Sequence, residues 1–103
     1  MIRHCVFMNL SDEADPNELA DVLTGLAAVT DRLPGASDFV SGPNRDFENK
    51  TPDFPMGFTI DFADEAALAA YAADEAHKAL GARLVALCRG GADGITVYDL
   101  DHG

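Results

Sequence analysis

Basic residues are scarce in this sequence. Seven lysines and arginines stand against 18 aspartates and glutamates, which gives a formal net charge of −11 at pH 7. Binding to nucleic acid or to an anionic membrane surface requires a positive patch, so the charge balance argues against both partners. An acidic surface of this kind is typical of a protein that is kept soluble by its charge.

Cysteine, tryptophan and long apolar runs are also rare or missing. The chain has no tryptophan and two cysteines, Cys5 and Cys88, which are too few for a disulfide framework. No apolar run approaches the length of a membrane span, and the first residues lack the pattern of a signal peptide. We therefore expect a cytoplasmic protein whose 103 residues (1–103) form a single domain.

Sites with strong local signatures are missing as well. No pair of cysteines or histidines has the spacing that is typical of a metal site. The Gly90-Gly91 pair follows a predicted helix, whereas a phosphate-binding loop precedes one. Ser11, Ser37 and Ser41 do not lie in a nucleophile-elbow motif. We therefore expect no metal and no nucleotide, and a serine-based triad is disfavoured.

Alternating apolar residues predict the strands. A period of two runs through residues 2–10 and 54–62, and shorter extended runs cover residues 38–42 and 94–100. The polar residues 43–54, which include two prolines, predict a loop. The first strand carries apolar side chains on both of its faces, which indicates that both faces of the sheet are covered.

Helical spacing of apolar residues predicts a long first helix. Asp15-Pro16 is typical of a helix start, and Pro34-Gly35 is typical of a helix end. An apolar stripe at helical spacing runs between these signals. The first helix is therefore predicted over about residues 16–33.

The second helical region contains two polar rings, Tyr71 and His77, that are candidates for chemistry. On one continuous helix they would point about 240° apart, since each residue turns the chain by about 100°. They share a face only if the helix breaks between them, and Asp74 can provide that break by capping a new helix. We therefore predict separate helices over about residues 64–73 and 74–89.

The element order β-α-β-β-α-β is that of a ferredoxin-like fold in the α+β class. Such a fold has a four-stranded antiparallel sheet with the helices on one face. A chain of this length has nothing left to cover the other face, where Phe7 would lie exposed. The simplest cover is a second copy of the chain, so we predict a homodimer with two sheets packed face to face.

Several segments resemble the stress-responsive A/B barrel domain family, also called Dabb. The residues that carry the resemblance are His4-Cys5-Val6-Phe7-Met8, the strand that ends at Phe62, Ala67-Leu68-Ala69-Ala70-Tyr71 followed by Ala76-His77, and Gly94-Ile95-Thr96-Val97-Tyr98-Asp99. The resemblance implies a dimeric α/β barrel, a pocket between sheet and helices, and a connection with stress responses. The family also loosely resembles cofactor-free monooxygenases that share the barrel.

The resemblance also implies site residues. A plant polyketide cyclase that is similar in sequence, olivetolic acid cyclase, closes an aldol ring without a cofactor. Its essential tyrosine and histidine match Tyr71 and His77, and its N-terminal pocket histidine matches His4. Another of its pocket tyrosines falls on Leu26 here, so the resemblance does not imply the same substrate.

These patterns lead to one functional hypothesis and one alternative. His77 would be a general base and Tyr71 a hydrogen-bond donor, and they would act without a cofactor on a small apolar carbonyl compound. The pocket would also be lined by His4, Met8, Leu26, Phe58, Phe62, Leu80 and Leu84. In the alternative, the protein is a non-catalytic, stress-associated homodimer, and both rings are core residues bonded to protein partners.

Overall fold

The computed structural model describes all 103 residues and contains four strands and three α-helices. The strands are β1 (Ile2–Met8), β2 (Ala36–Pro43), β3 (Met56–Phe62) and β4 (Ile95–Asp101), and the helices are α1 (Pro16–Arg32), α2 (Glu65–Ala73) and α3 (Glu75–Val85). Neighbouring strands are antiparallel and lie in the order β2-β3-β1-β4. The ferredoxin-like fold predicted from the element order is confirmed.

The predicted elements are all present, and the differences lie at their ends. β1 stops at Met8, earlier than predicted, because Leu10 makes only an isolated bridge with Cys88. β2 extends beyond the predicted residues 38–42 at both ends because it pairs with β3 from Ala36 to Pro43. α3 ends at Val85, before the predicted residue 89, because the chain then turns back toward β1.

The core lies between the sheet and the helices. β1 and β3 direct alternate side chains into it, and Val6, Phe58 and Ile60 are at most 5% exposed. α1 adds an apolar stripe that includes Val22 and Leu26, both almost fully buried. Burial of this continuous apolar layer is the main force that holds the helices on the sheet. None of the three helices is long and apolar enough to cross a bilayer.

The predicted helix break at Asp74 is confirmed. α2 ends at this residue and α3 begins there, with Asp74 as the N-cap. Its carboxylate accepts hydrogen bonds from the Arg32 side chain at 2.7 Å and from the His77 backbone N–H at 3.0 Å. The same two bonds hold the pKa of Asp74 below its usual value. One carboxylate therefore ties the start of α3 to the end of α1.

The sheet face that points away from the helices, here named the open face, carries several apolar side chains. Val40, Tyr98 and Leu100 are 62%, 59% and 56% exposed. Phe7 is half-buried and lies beside Tyr98, with ring centroids 6.4 Å apart. An apolar surface of this kind on a small protein is typical of an interaction site.

Candidate functional site

A cavity of about 380 Å³ lies between α3 and the edge strand β4, with its floor on the sheet. It exists because α3 packs against α1 and α2 and stands away from β4. Val97 of β4 faces the cavity and is still 46% exposed. A Cβ atom added to Gly81 of α3 would meet no atom within 4 Å. The cavity is therefore a groove that solvent and small molecules can enter.

The cavity wall is mostly apolar. Its apolar residues are Val6, Leu26, Phe58, Leu68, Ala72, Leu84, Val85, Ile95 and Val97, and its polar side chains are those of His4, Tyr71, His77 and Lys78. An apolar groove with a few convergent polar groups is the usual form of a small-molecule site.

Tyr71 and His77 lie side by side in this wall, with ring centroids 4.0 Å apart and ring planes at 36°. Tyr71 closes the last turn of α2 and is 1% exposed, whereas His77 in the first turn of α3 is half-buried. The Tyr71 hydroxyl and His77 Nδ1 are both buried, and neither makes a hydrogen bond with the protein. Buried polar atoms are nearly always bonded, and the imidazole of His77 has the backbone carbonyls of Ala72 and Tyr71 nearby. The Tyr71 hydroxyl is therefore the atom of the pair that most needs a partner.

Burial sets the protonation of this pair. It raises the pKa of the Tyr71 hydroxyl well above its usual value, and the Asp74 carboxylate adds to the effect. Burial also lowers the pKa of His77, and the nearby Ala72 carbonyl offsets part of this change. At neutral pH the pair is therefore a phenol that can donate a hydrogen bond, beside a neutral imidazole.

The His4 side chain extends from β1 into the cavity wall, and the Asp99 carboxylate lies beside it. Its Nδ1 atom lies 2.6 Å from Oδ1 of Asp99, and the two residues are directly opposite in the β1–β4 ladder. The imidazole meets the rings of Tyr71 and Phe62 edge to face, at centroid distances of 5.8 and 5.9 Å. The site thus contains two histidines, one tyrosine and one carboxylate.

Most residues predicted to line a pocket lie in the cavity wall, and three do not. Those in the wall are His4, Leu26, Phe58, Tyr71, His77 and Leu84. Met8 and Phe62 are instead fully buried in the core, and Leu80 lies over Gly25 of α1. All three belong to the apolar faces that the periodicity identified, but the cavity extends over only part of those faces. Whether the lining residues bind a ligand stays a prediction.

The contribution of β4 to the cavity wall was not predicted from the sequence. Ile95 and Val97 line the cavity, and Asp99 reaches it through His4. The available signal was the alternation of the last strand, which places these three residues on one face. Their position became clear only when the pairing with β1 fixed that face toward the helices.

The groups that could hold a metal do not converge. No group of three or more histidine, cysteine, aspartate and glutamate side chains is close enough to hold an ion. The two cysteines, Cys5 and Cys88, are buried free thiols, and burial raises the pKa of each. The polar groups at the cavity are the imidazoles of His4 and His77, the phenol of Tyr71, the ammonium group of Lys78 and the Asp99 carboxylate beside His4.

The His77→Gln substitution should make stability less dependent on pH between about pH 7.5 and 5.5. Burial lowers the folded-state pKa of His77 from 6.5, so the unfolded chain binds this proton more readily. Wild-type protein therefore loses stability as the pH falls through this window, whereas glutamine cannot titrate. Urea unfolding of both proteins at each pH, at one protein concentration, measures the difference.

Other titrating groups do not change the sign of that difference. His4 and His102 are present in both proteins. Asp61 and Asp74 have lowered pKa values, caused first by their hydrogen bonds with Arg3 and Arg32 respectively, and so act at lower pH. If the free energy of unfolding of the two proteins depends on pH in the same way, burial does not lower the pKa of His77.

Comparison with solved structures shows what the chain is similar to. It is similar to a dimeric ferredoxin-like protein of unknown function from Jannaschia sp. CCS1, with 42% identity, a TM-score of 0.93 and 98% of each chain covered. Hydroxynitrile lyase from Passiflora edulis is 12% identical, with a TM-score of 0.80 over 96% of this chain and 90% of that chain.

A third structure has a similar fold. SnoaB, a cofactor-independent oxygenase from Streptomyces nogalater, is 17% identical, with a TM-score of 0.76 over 99% of this chain and 92% of that chain. At such low identity, the likeness to the lyase and to the oxygenase shows the fold alone. A search of curated proteins found no match. The family model described as Stress responsive A/B Barrel Domain matches residues 2–101, and the chain therefore belongs to this family.

Proposed function

We propose that the cavity binds a small, mostly apolar molecule with a carbonyl oxygen, and that Tyr71 and His77 contact this oxygen. The observation that carries the proposal is the pair of buried atoms without a protein partner, the Tyr71 hydroxyl and His77 Nδ1, in the wall of an apolar groove. A carbonyl oxygen between them would accept the hydrogen bond that the phenol can donate. This contact would satisfy a group whose burial is otherwise costly.

Acid/base chemistry without a cofactor is the reaction class that suits this site. In an apolar cavity, a hydrogen bond from Tyr71 to a developing enolate oxygen is stronger than it would be in water. His77 lies next to the phenol and can move a proton to or from the bound oxygen. The lyase and the cofactor-independent oxygenase with the same fold support a catalytic use of this architecture.

Ligand titration tests the proposal. Phenylacetone, an aromatic methyl ketone, is added to the wild-type protein and to Tyr71→Phe and His77→Gln, and binding is followed by NMR chemical shifts. We expect each substitution to weaken binding by roughly tenfold, which corresponds to the loss of one hydrogen bond. The Gly81→Leu variant, which fills the groove, should not bind.

The control for this titration is His102→Gln, which removes a histidine outside the cavity and should leave binding unchanged. Equal affinity in wild type, Tyr71→Phe and His77→Gln would contradict the proposed contact. Absence of binding to the wild-type protein would contradict the proposed ligand class. It would favour the alternative of a non-catalytic homodimer in which the two rings only pack.

The open face supports a homodimer as the form in which the protein acts. Phe7, Tyr98 and Leu100 form an apolar strip on two neighbouring strands, and the relative from Jannaschia is described as dimeric. Two such sheets packed face to face would remove this strip from water. In the dimer, β4 would separate the cavity on one side from the subunit interface on the other.

Sedimentation measures this assembly. At micromolar concentration we expect particles of about twice the 10.9 kDa chain mass. Tyr98→Asp, which places a charge on the open face, should shift the protein toward monomer, whereas Asp101→Asn on the same strand should not. Wild-type particles of 10.9 kDa under these conditions would overturn the face-to-face arrangement.

A further inference from the structure

We propose that His4, held by Asp99, is the base that removes a proton from the carbon next to the carbonyl group of the bound molecule. The cavity then has two polar units with separate roles: His4–Asp99 acts on carbon, and Tyr71–His77 holds the oxygen. This inference rests on the proposed function and changes the sequence-based role of His77 from base to oxygen-binding group.

The contact between His4 and Asp99 is built into the sheet. The two residues are cross-strand partners at the β1–β4 pairing, and Nδ1 lies 2.6 Å from the carboxylate. The Nδ1 atom therefore carries the proton that the carboxylate accepts, and Nε2 is left with a free lone pair. The carboxylate that is hydrogen-bonded to Nδ1 thus fixes the tautomer in which Nε2 can act as a base.

The orientation of His4 suits attack on a ligand in the groove. Its side chain is 14% exposed and lines the cavity. Edge-to-face contacts with Tyr71 and Phe62 limit rotation of the ring. Nε2 of His4 makes no hydrogen bond with the protein. Unlike Nδ1 of His77, it is not a fully buried atom without a partner. The free nitrogen is therefore reachable by a molecule in the groove.

His77 lacks the features that make His4 a base. No carboxylate orients its ring, and its buried Nδ1 atom makes no well-aligned hydrogen bond, with only the backbone carbonyls of Ala72 and Tyr71 near the imidazole. Burial also disfavours the imidazolium that proton uptake would create, as the lowered pKa of His77 shows. A proton taken by His4 instead has the negative charge of Asp99 within hydrogen-bond distance.

A purely structural role does not account for the His4–Asp99 pair. The Asp99 carboxylate is 43% exposed, and ion pairs with that exposure contribute little to stability. Asp99 also lies on the edge strand, where a solvated side chain needs no partner. Its contact with a cavity-lining imidazole is therefore best explained by positioning of that imidazole.

The proposed step transfers a proton from carbon to His4 and an electron pair from carbon to oxygen. A C–H bond next to the carbonyl breaks, and its proton moves to Nε2 of His4. The electron pair of that bond forms the C=C bond of an enolate, and the carbonyl π electrons move to oxygen. The Tyr71 hydroxyl donates a hydrogen bond to that oxygen. Return of the proton from His4 to carbon regenerates the ketone. Alternatively, the enolate carbon attacks a second carbonyl group, whose π electrons move to its own oxygen, and this oxygen takes up the proton from His4.

The tautomer of His4 provides a test that needs no ligand. In ¹⁵N-labelled wild-type protein, we expect the NMR signals of the neutral His4 ring to report a proton on Nδ1 and none on Nε2. In Asp99→Asn this tautomer should no longer dominate, whereas in Asp101→Asn it should be retained. A proton on Nε2 in the wild-type protein would overturn the proposal, because that nitrogen could not then act as the base.

Exchange of the α-protons of phenylacetone in D₂O tests the base directly. We expect His4→Gln to lower the maximum exchange rate by roughly 100-fold and Asp99→Asn by roughly tenfold, the usual ranges for a general base and for a residue that orients a histidine. His77→Gln should mainly raise the ketone concentration needed for half-maximal rate. Asp101→Asn is the control, and its rate should equal that of the wild type.

The outcomes separate this inference from the proposed function. Binding of phenylacetone without exchange above the buffer rate would overturn the role of His4 and leave the binding proposal standing. An unchanged maximum rate in His4→Gln, or a rate abolished by His77→Gln alone, would return the base to His77. No binding of the ketone would overturn the proposed ligand class, and with it the assignment of a base.

Discussion

Tyr71→Phe should raise the free energy of unfolding by about 1 kcal/mol, although the hydroxyl that it removes lies in the candidate site. The hydroxyl is buried and has no hydrogen-bond partner. On folding it therefore loses its hydrogen bonds with water and gains none with the protein. Phenylalanine keeps the ring, which is 1% exposed and packs on Phe62 and His77. Urea unfolding at one protein concentration measures the change.

Tyr98→Phe is the matched control, since it removes the same hydroxyl from a ring that is 59% exposed. Measured at protein concentrations low enough for the proposed dimer to dissociate, its effect should stay within about 0.5 kcal/mol, as for most exposed substitutions. A stability loss in Tyr71→Phe would show that the hydroxyl is hydrogen-bonded in solution. A gain, together with weaker ketone binding, would show that the site is maintained at the expense of stability.

Asp74→Ala should lower the melting temperature by roughly 5 to 10 °C, because a helix N-cap and a bond between helices are lost together. The substitution removes the acceptor of the His77 N–H and the partner of Arg32. It also frees the start of α3, so the contact between the Tyr71 and His77 rings, whose centroids are 4.0 Å apart, should loosen. We therefore expect ketone binding to weaken by at least as much as in His77→Gln.

Asp15→Ala separates the loss of thermal stability from the loss of ketone binding. Asp15 is the N-cap of α1 and accepts a hydrogen bond from the Asn17 N–H at 2.9 Å, and it does not line the cavity. Its loss should lower the melting temperature by roughly 5 °C without changing ketone binding. Suppose that Asp74→Ala has a lower melting temperature than the wild type but binds the ketone with the same affinity. The helix break at Asp74 then does not position the Tyr71 and His77 side chains for binding.

The sequence alone was sufficient for the fold and for the local geometry of Tyr71 and His77. Strand and helix periodicities reflect burial on one side of each element, and this information is local. The spacing of Tyr71 and His77 allowed the two rings to share a face only with a helix break between them, and Asp74 was the residue able to cap a new helix. The structure has that break, with the two rings in contact.

The position of the cavity could not be predicted in the same way. Periodicity shows which side chains point inward, but not where a helix stands away from the sheet. Met8 and Leu80 share their faces with cavity residues but are covered by neighbouring elements. Asp99 is 95 residues from His4, and only the pairing of the first and last strands brings them together.

The alternation of side chains along β4 has a consequence for how this protein can change over evolutionary time. Ile95, Val97 and Asp99 belong to the cavity side, and Tyr98 and Leu100 belong to the open face. In the proposed ligand-binding dimer, point substitutions could therefore alter ligand preference and subunit contacts independently, although both sets lie in seven consecutive residues. An insertion or deletion of one residue would exchange the two sets of side chains. We expect homologous chains to vary in the composition of this strand but to conserve its length.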